Sequence, residues 1–226
     1  MNSPKICVSI VAENWKKAIQ DIRKAERLGA NLFELRMDLM GSFEGLAKIR
    51  EATKLPLIAT NRLKGQGGHY EGDERQRVNS LLKACDTGFD YVDLELTTRD
   101  LSSVIAEIRL RGIKTILSHH DFLKTPPFIG LKEILSHELA YKPDICKIVG
   151  TSRTLDDNFT YLALLQQLQG QRLICFGMGE RGRLSRILSP LFGGEFTFAS
   201  ISEGRESASG QVPIEELIKI YRLLRI

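Results

Sequence analysis

Short, almost wholly apolar runs alternate along this chain with longer stretches in which apolar residues recur every three or four positions. The short runs are Ile6–Val11, Leu32–Met37, Leu57–Thr60, Tyr91–Leu96, Lys114–Ser118, Ile145–Val149, Leu173–Phe176 and Thr197–Ser200. Each has the length of a strand, and nearly all its positions are apolar, as in parallel strands covered on both faces. Between them, Trp15, Ile19, Ile22, Ala25 and Leu28 make one helical stripe that Gly29 ends. Val78, Leu81, Leu82 and Cys85 do the same before Gly88, and Leu101, Val104, Ile105 and Ile108 before Gly112. Leu155 to Leu168 and Ile214 to Leu224 are two further helical stretches, the last opened by Pro213.

Eight strand–helix units in 226 residues predict an α/β fold, a (β/α)8 TIM barrel, as one domain over 1–226. A doubly wound open sheet is the alternative, but no Gly-x-Gly-x-x-Gly follows the first strand. The glycine-rich, charged stretch from Lys64 to Glu74 reads either as a mobile active-site loop or as plain surface.

Composition narrows the function classes. Hydrophobic residues make up 42% and charged residues 27%, ordinary for a globular protein. The net charge of +4, from 32 basic and 28 acidic residues, is too balanced for a nucleic-acid partner. No apolar run approaches the roughly 18 residues of a membrane helix. Cys7, Cys85, Cys146 and Cys175 lack metal-ligand spacing, and three lie in strand-like runs, which predicts reduced thiols in the cytoplasm.

In a barrel of this kind the chemistry sits where the strands end. "FELRMDL" places Glu34, Arg36 and Asp38 on one face, and "YVDLEL" does so for Asp93 and Glu95. The third strand runs into Arg62, and the fifth into Ser118-His119-His120-Asp121, where only one of the adjacent histidines can face the site. His69 and His137 read as structural or exposed. In "GMGERGRLSR", Ser185-Arg186 is expected to open a helix where an anion docks, whereas Arg183 suits any anion or a solvated face. Lys147 stands inside the apolar run "DICKIVG". Either its side chain reaches out to water, or the site uses an amine in a dry place. An amine desolvated among apolar neighbours and near other cations is neutral enough to attack a ketone. A histidine can then move the proton beside the imine, and an arginine can grip a carboxylate.

With "FELRMDL", "SHHDF", "DICKIVG", "MGERGRLSR" and "SASGQVP" in this order, the chain resembles the type I 3-dehydroquinate dehydratases of the shikimate pathway. The resemblance implies a cofactor-free, metal-free dehydration of 3-dehydroquinate to 3-dehydroshikimate by cis elimination, in a cytoplasmic homodimer. It implies Lys147 as the Schiff-base lysine and His120 as general acid/base. It also implies Glu34, Arg36, Arg62, Arg186, Ser207, Gln211 and, more weakly, Ser9 as substrate-binding residues. Some members carry Glu-Gly-Gly where this chain has Gln66-Gly67-Gly68. Glu71 or Glu95 then replaces that carboxylate, or none is needed. Because the chain stops straight after its last helix, a stand-alone enzyme is expected rather than a fusion. A class I aldolase or transaldolase would share Lys147 but would want a phosphate site near the last two strands. A catalytically dead barrel would not need both Lys147 and His120.

Overall fold

Among the described residues nine strands pair in parallel, in the order β7-β6-β5-β4-β3-β2-β1-β8-β9. The computed structural model describes residues 3–168 and 170–225. The elements run β1 (Ile6–Ile10), α1 (Trp15–Leu28), β2 (Leu32–Arg36), α2 (Leu46–Glu51), β3 (Leu57–Thr60), α3 (Glu74–Asp86), β4 (Tyr91–Glu95) and α4 (Leu101–Leu110). They continue with β5 (Lys114–Asp121), α5 (Phe128–Ala140), β6 (Ile145–Thr151), α6 (Asp157–Gln167), β7 (Leu173–Met178), α7 (Arg183–Leu188), β8 (Thr197–Ser200), β9 (Val212–Pro213) and α8 (Ile214–Leu223).

The sheet curls into the expected barrel with helices outside. Among the described residues no ladder joins β7 to β8; one backbone bond, from the Glu195 N–H to the Leu173 carbonyl (2.9 Å), crosses that seam. Asn14 caps α1 by accepting from the Lys17 N–H, and Gly29 ends it at φ 100°, a left-handed conformation that suits glycine. No described helix is long and apolar enough to cross a membrane.

No periodic stripe in the sequence marked α2, α5 or α7, although a helix was expected to open at Ser185-Arg186, two residues after α7 begins. Two are only six residues long, too short to show a period. In α5 the stripe is blurred, because Ile129 is exposed while Glu138 is fully buried.

Period-two alternation sorts the inward side chains into layers. The lowest is apolar and includes Cys7, Leu32, Ile58, Ile116, Ile145 and Ile174. Two residues further along the same strands come Ser9, Glu34, Thr60, Ser118 and Lys147, all buried, and Asp93 from β4 joins them. Another step brings Arg36, Arg62 and His120 to the open end. The strands thus change from oil to charge as they approach their C-terminal ends.

Candidate active site

The upper layers line an open cleft at the C-terminal end of the barrel. Glu34, Arg36, Arg62, His120, Lys147, Arg186, Ser207 and Gln211 all line it. Ser9 does not. It lies one shell deeper, giving its hydroxyl hydrogen to Glu34 Oε2 (2.9 Å) and accepting from Gln211 Nε2 (3.1 Å).

The amine of Lys147 is 5% exposed by residue and is not left unpaired. It donates to Asp93 Oδ2 (2.8 Å), lies 3.7 Å from Glu34 Oε1 and sits 4.4 Å from the centre of the Phe198 ring. The amine is buried, as expected, but it is paired with carboxylates and not set among apolar groups and cations alone. The two carboxylates compensate its burial, as a buried cation requires.

Asp93 is the site residue that the sequence reading noticed but did not assign. Its other oxygen takes Arg62 Nη2 (2.7 Å) and the Ser118 hydroxyl (2.7 Å). Burial alone would raise this carboxyl. Arg62 and Lys147 beside it prevail and hold it well below the usual carboxylate range. The available signal was two carboxylates, Asp93 and Glu95, two residues apart on a core strand. Glu95 does not replace the missing loop carboxylate, because it is taken up by Arg77 (2.6 Å) and Arg62 (3.3 Å). Nor does Glu71, which is exposed and paired with Lys64 (2.6 Å).

His120 lies within β5, not past its end as expected, because the strand continues to Asp121. Burial, reinforced by the positive charges of Arg62 and Lys147, pushes its pKa well below the ordinary histidine value. The ring is therefore neutral at pH 7, and its buried Nδ1 has no partner among the described residues. Phe122 stacks on it at 6.0 Å. His119, the next residue along the strand, is not in the cleft lining. His69 is 65% exposed, and His137 is exposed on α5.

Arg186 falls in the last turn of α7, so it does not open a helix as the sequence suggested. It is 2% exposed, and burial pushes its pKa down to about 9. Its Nε has no partner, one Nη reaches the Ser209 carbonyl only at 3.5 Å, and the guanidinium lies 4.3 Å from the Phe176 ring centre. Arg36, Arg62 and Lys147 each hold a carboxylate, but among the described residues Arg186 holds none. A buried guanidinium with no carboxylate partner at a cleft wall has the chemistry to receive an anion. Arg183, by contrast, is exposed and paired with Glu180.

Asp38 belongs to a 3-10 turn, Met37–Leu39, and not to β2, yet it grips Arg36 with both oxygens (2.9 and 2.6 Å). Gln211 ties down the loop before it by accepting from the Ser207 N–H (2.8 Å). Among the described residues no group of three or more His, Cys, Asp or Glu side chains could hold a metal ion.

The family model described as type I 3-dehydroquinase matches residues 6–226. The chain belongs to the type I 3-dehydroquinase family. The 3-dehydroquinate dehydratase of Dehalococcoides mccartyi is 37% identical over 222 residues, covering 98% of this chain and 96% of that protein. Among solved structures, a type I 3-dehydroquinate dehydratase from Clostridium difficile carrying covalently modified comenic acid superposes with a TM-score of 0.88. It is 25% identical, over 98% of this chain and 92% of that one. The 3-dehydroquinate dehydratase of Geobacillus kaustophilus, at 24% identity, shares the fold with a TM-score of 0.91, over 99% of this chain and 92% of that one. Family membership accounts for the order of the five sequence motifs and for the barrel.

Proposed function

We propose that the protein removes water from 3-dehydroquinate to give 3-dehydroshikimate, through an imine formed on Lys147. The observation that carries this reading is one cleft shared by the Lys147 amine, the neutral His120 ring and the unpaired Arg186. Arg186 takes the substrate carboxylate and so sets the ketone towards Lys147. To attack, the amine must give up a proton, and His120 is the base that is free to accept one. Attack on the carbonyl gives a carbinolamine, whose hydroxyl leaves as water with the proton that His120 hands back; the protonated imine that remains drains electrons from the adjacent carbon, and His120 is a free base again. His120 then takes a proton from that carbon. The electron pair moves through the enamine to expel the neighbouring hydroxyl, to which His120 returns the proton, so that water leaves. Hydrolysis of the imine releases the product and the amine. Asp93 and Glu34 flank the charge on the amine and then on the iminium nitrogen. The reading carries with it a cytoplasmic location and a homodimer.

Borohydride added during turnover, followed by peptide mass spectrometry, tests the imine. The expected result is a reduced adduct on the peptide containing Lys147, and Lys147→Ala is expected to lose both the adduct and nearly all turnover. Normal turnover in Lys147→Ala would falsify the imine mechanism.

A further inference from the structure

Two loops flank the mouth of the cleft. One follows β3 and brings Gln66 and Gly67 to the lining; the other follows β8 and brings Ser207 and Ala208. Gly67, Phe122, Ser207 and Ala208 also line a second, adjoining basin, so they form the neck between the basin and the cleft.

Each loop is internally braced. In the first, Tyr70 donates its N–H to the Arg62 carbonyl (3.0 Å) and Lys64 donates to that of Tyr70 (2.9 Å). A side chain at Gly68 would stand 2.1 Å from the Arg62 carbonyl oxygen, so the turn has no slack there. In the second, Gln211 clasps Ser207. Braced loops move as units, so what matters is where they are fastened.

Both are fastened to the same ion pair. Asp38 Oδ2 accepts the N–H of His69 in the first loop (3.0 Å), while Arg36 Nη1 donates to the Ser207 carbonyl in the second (3.2 Å). Between them the Arg36–Asp38 pair is bidentate, with side chains only 6% and 0% exposed. A buried two-point pair has few alternative arrangements, so displacing one partner displaces the other. We propose that the Arg36–Asp38 pair couples the two loops, so that they open and close the cleft together, with Asp38 as a positioning residue that never touches the ligand. The kinetic consequence rests on the dehydratase reading; the coupling itself does not.

Amide hydrogen exchange on the full chain, read by mass spectrometry, tests the coupling. Asp38→Ala is expected to raise exchange at least tenfold in residues 64–70, which it touches, and also in 203–209, which it does not. The reciprocal arm uses Arg205→Ala. Arg205 ties the second loop to Asp21 (2.8 Å) and to the Val11 carbonyl and makes no bond to either residue of the pair. Coupling is mutual, so this substitution must also raise exchange in 64–70. In the double variant, exchange in 64–70 must rise no further than in Asp38→Ala alone. A merely structural Asp38 would loosen only the first loop. That result, or an Arg205→Ala protein with 64–70 unchanged, overturns the coupling. If Asp38→Ala does not fold, the Arg205→Ala arm decides alone. In turnover, Asp38→Asn is expected to raise KM more than tenfold while kcat falls less than threefold, because the neck and not the reacting groups is altered. Absence of turnover in the unsubstituted enzyme would count against the dehydratase reading and leave the exchange result standing.

Discussion

Replacing Arg186 by methionine should make the empty protein more stable and the enzyme nearly useless. The guanidinium is 2% exposed, and burial pushes its pKa from the ordinary arginine value down to about 9. At about 1.4 kcal/mol for each factor of ten in proton affinity, the charge is destabilised by up to roughly 5 kcal/mol. The cleft is open to water, so about half of that, ~2–3 kcal/mol, is a fairer figure. Against it stands the contact with the Phe176 ring at 4.3 Å, worth about 1 kcal/mol. Methionine keeps most of the apolar stem. The net gain is about 1–2 kcal/mol, which for a chain of this size raises Tm by roughly 2–8 °C. Losing a charge-assisted grip on a carboxylate should lower kcat/KM at least ~100-fold. Differential scanning fluorimetry with and without 3-dehydroshikimate measures both sides: the ligand should raise Tm of the parent protein and leave Arg186→Met unmoved. A variant that melts lower than the parent, or that keeps its activity, would refute the account of Arg186 as an unpaired anion site.

Other expectations follow from the same geometry. Asp93→Asn leaves Arg62 and Lys147 without their shared carboxylate and should cost about 3–5 kcal/mol in urea denaturation. His120 is held neutral in the fold, whereas the unfolded chain takes up a proton near pH 6.5. Stability should therefore fall as pH drops below about 6.5, by at most ~1.4 kcal/mol for each pH unit, and His120→Asn should flatten that slope. Glu138 acts in the opposite sense. Burial raises its carboxyl well above the ordinary value, so the fold keeps a proton that the unfolded chain releases above about pH 4.5. Glu138→Gln should then melt higher than the parent at pH 8, with the gap closing towards pH 4. Gly210 has φ 78°, and a side chain there would lie 2.2 Å from the Gly179 carbonyl oxygen. Gly210→Ala should displace the adjoining Gln211 and raise KM more than tenfold in a steady-state assay.

Much of this site was legible because strands alternate. Once Ile145 and Val149 are read as core, Lys147 between them must point the same way, and the same step aligns Glu34 with Arg36. What alternation cannot show is who meets whom across the barrel. Asp93 and Lys147 are 54 positions apart on strands that are not neighbours, and only the curl of the sheet across β5 makes them partners. The same blindness hid the carboxylates that pair with the buried amine. Arg186 was chosen correctly as a cleft residue but for the wrong local reason, since α7 places it by its last turn. The length of β5 was misjudged because His119, His120 and Asp121 look like loop residues; their backbones continue the ladder with β6 while one ring turns into the cleft.

The seam between β7 and β8 also bears on how the chain is made. From β1 to β7 every strand pairs with the one synthesised just before it, so these ladders can form in the order in which they leave the ribosome. β8 breaks that order. It finds its place beside β1, pairing Ile6 with Thr197 across almost the whole length of the chain. A nascent chain can therefore bring Lys147, Asp93 and Arg62 together while Phe198, which covers the amine, and Gln211, which ties the second loop, are still inside the exit tunnel. The slow, long-range step of folding is then the same step that roofs the reactive amine.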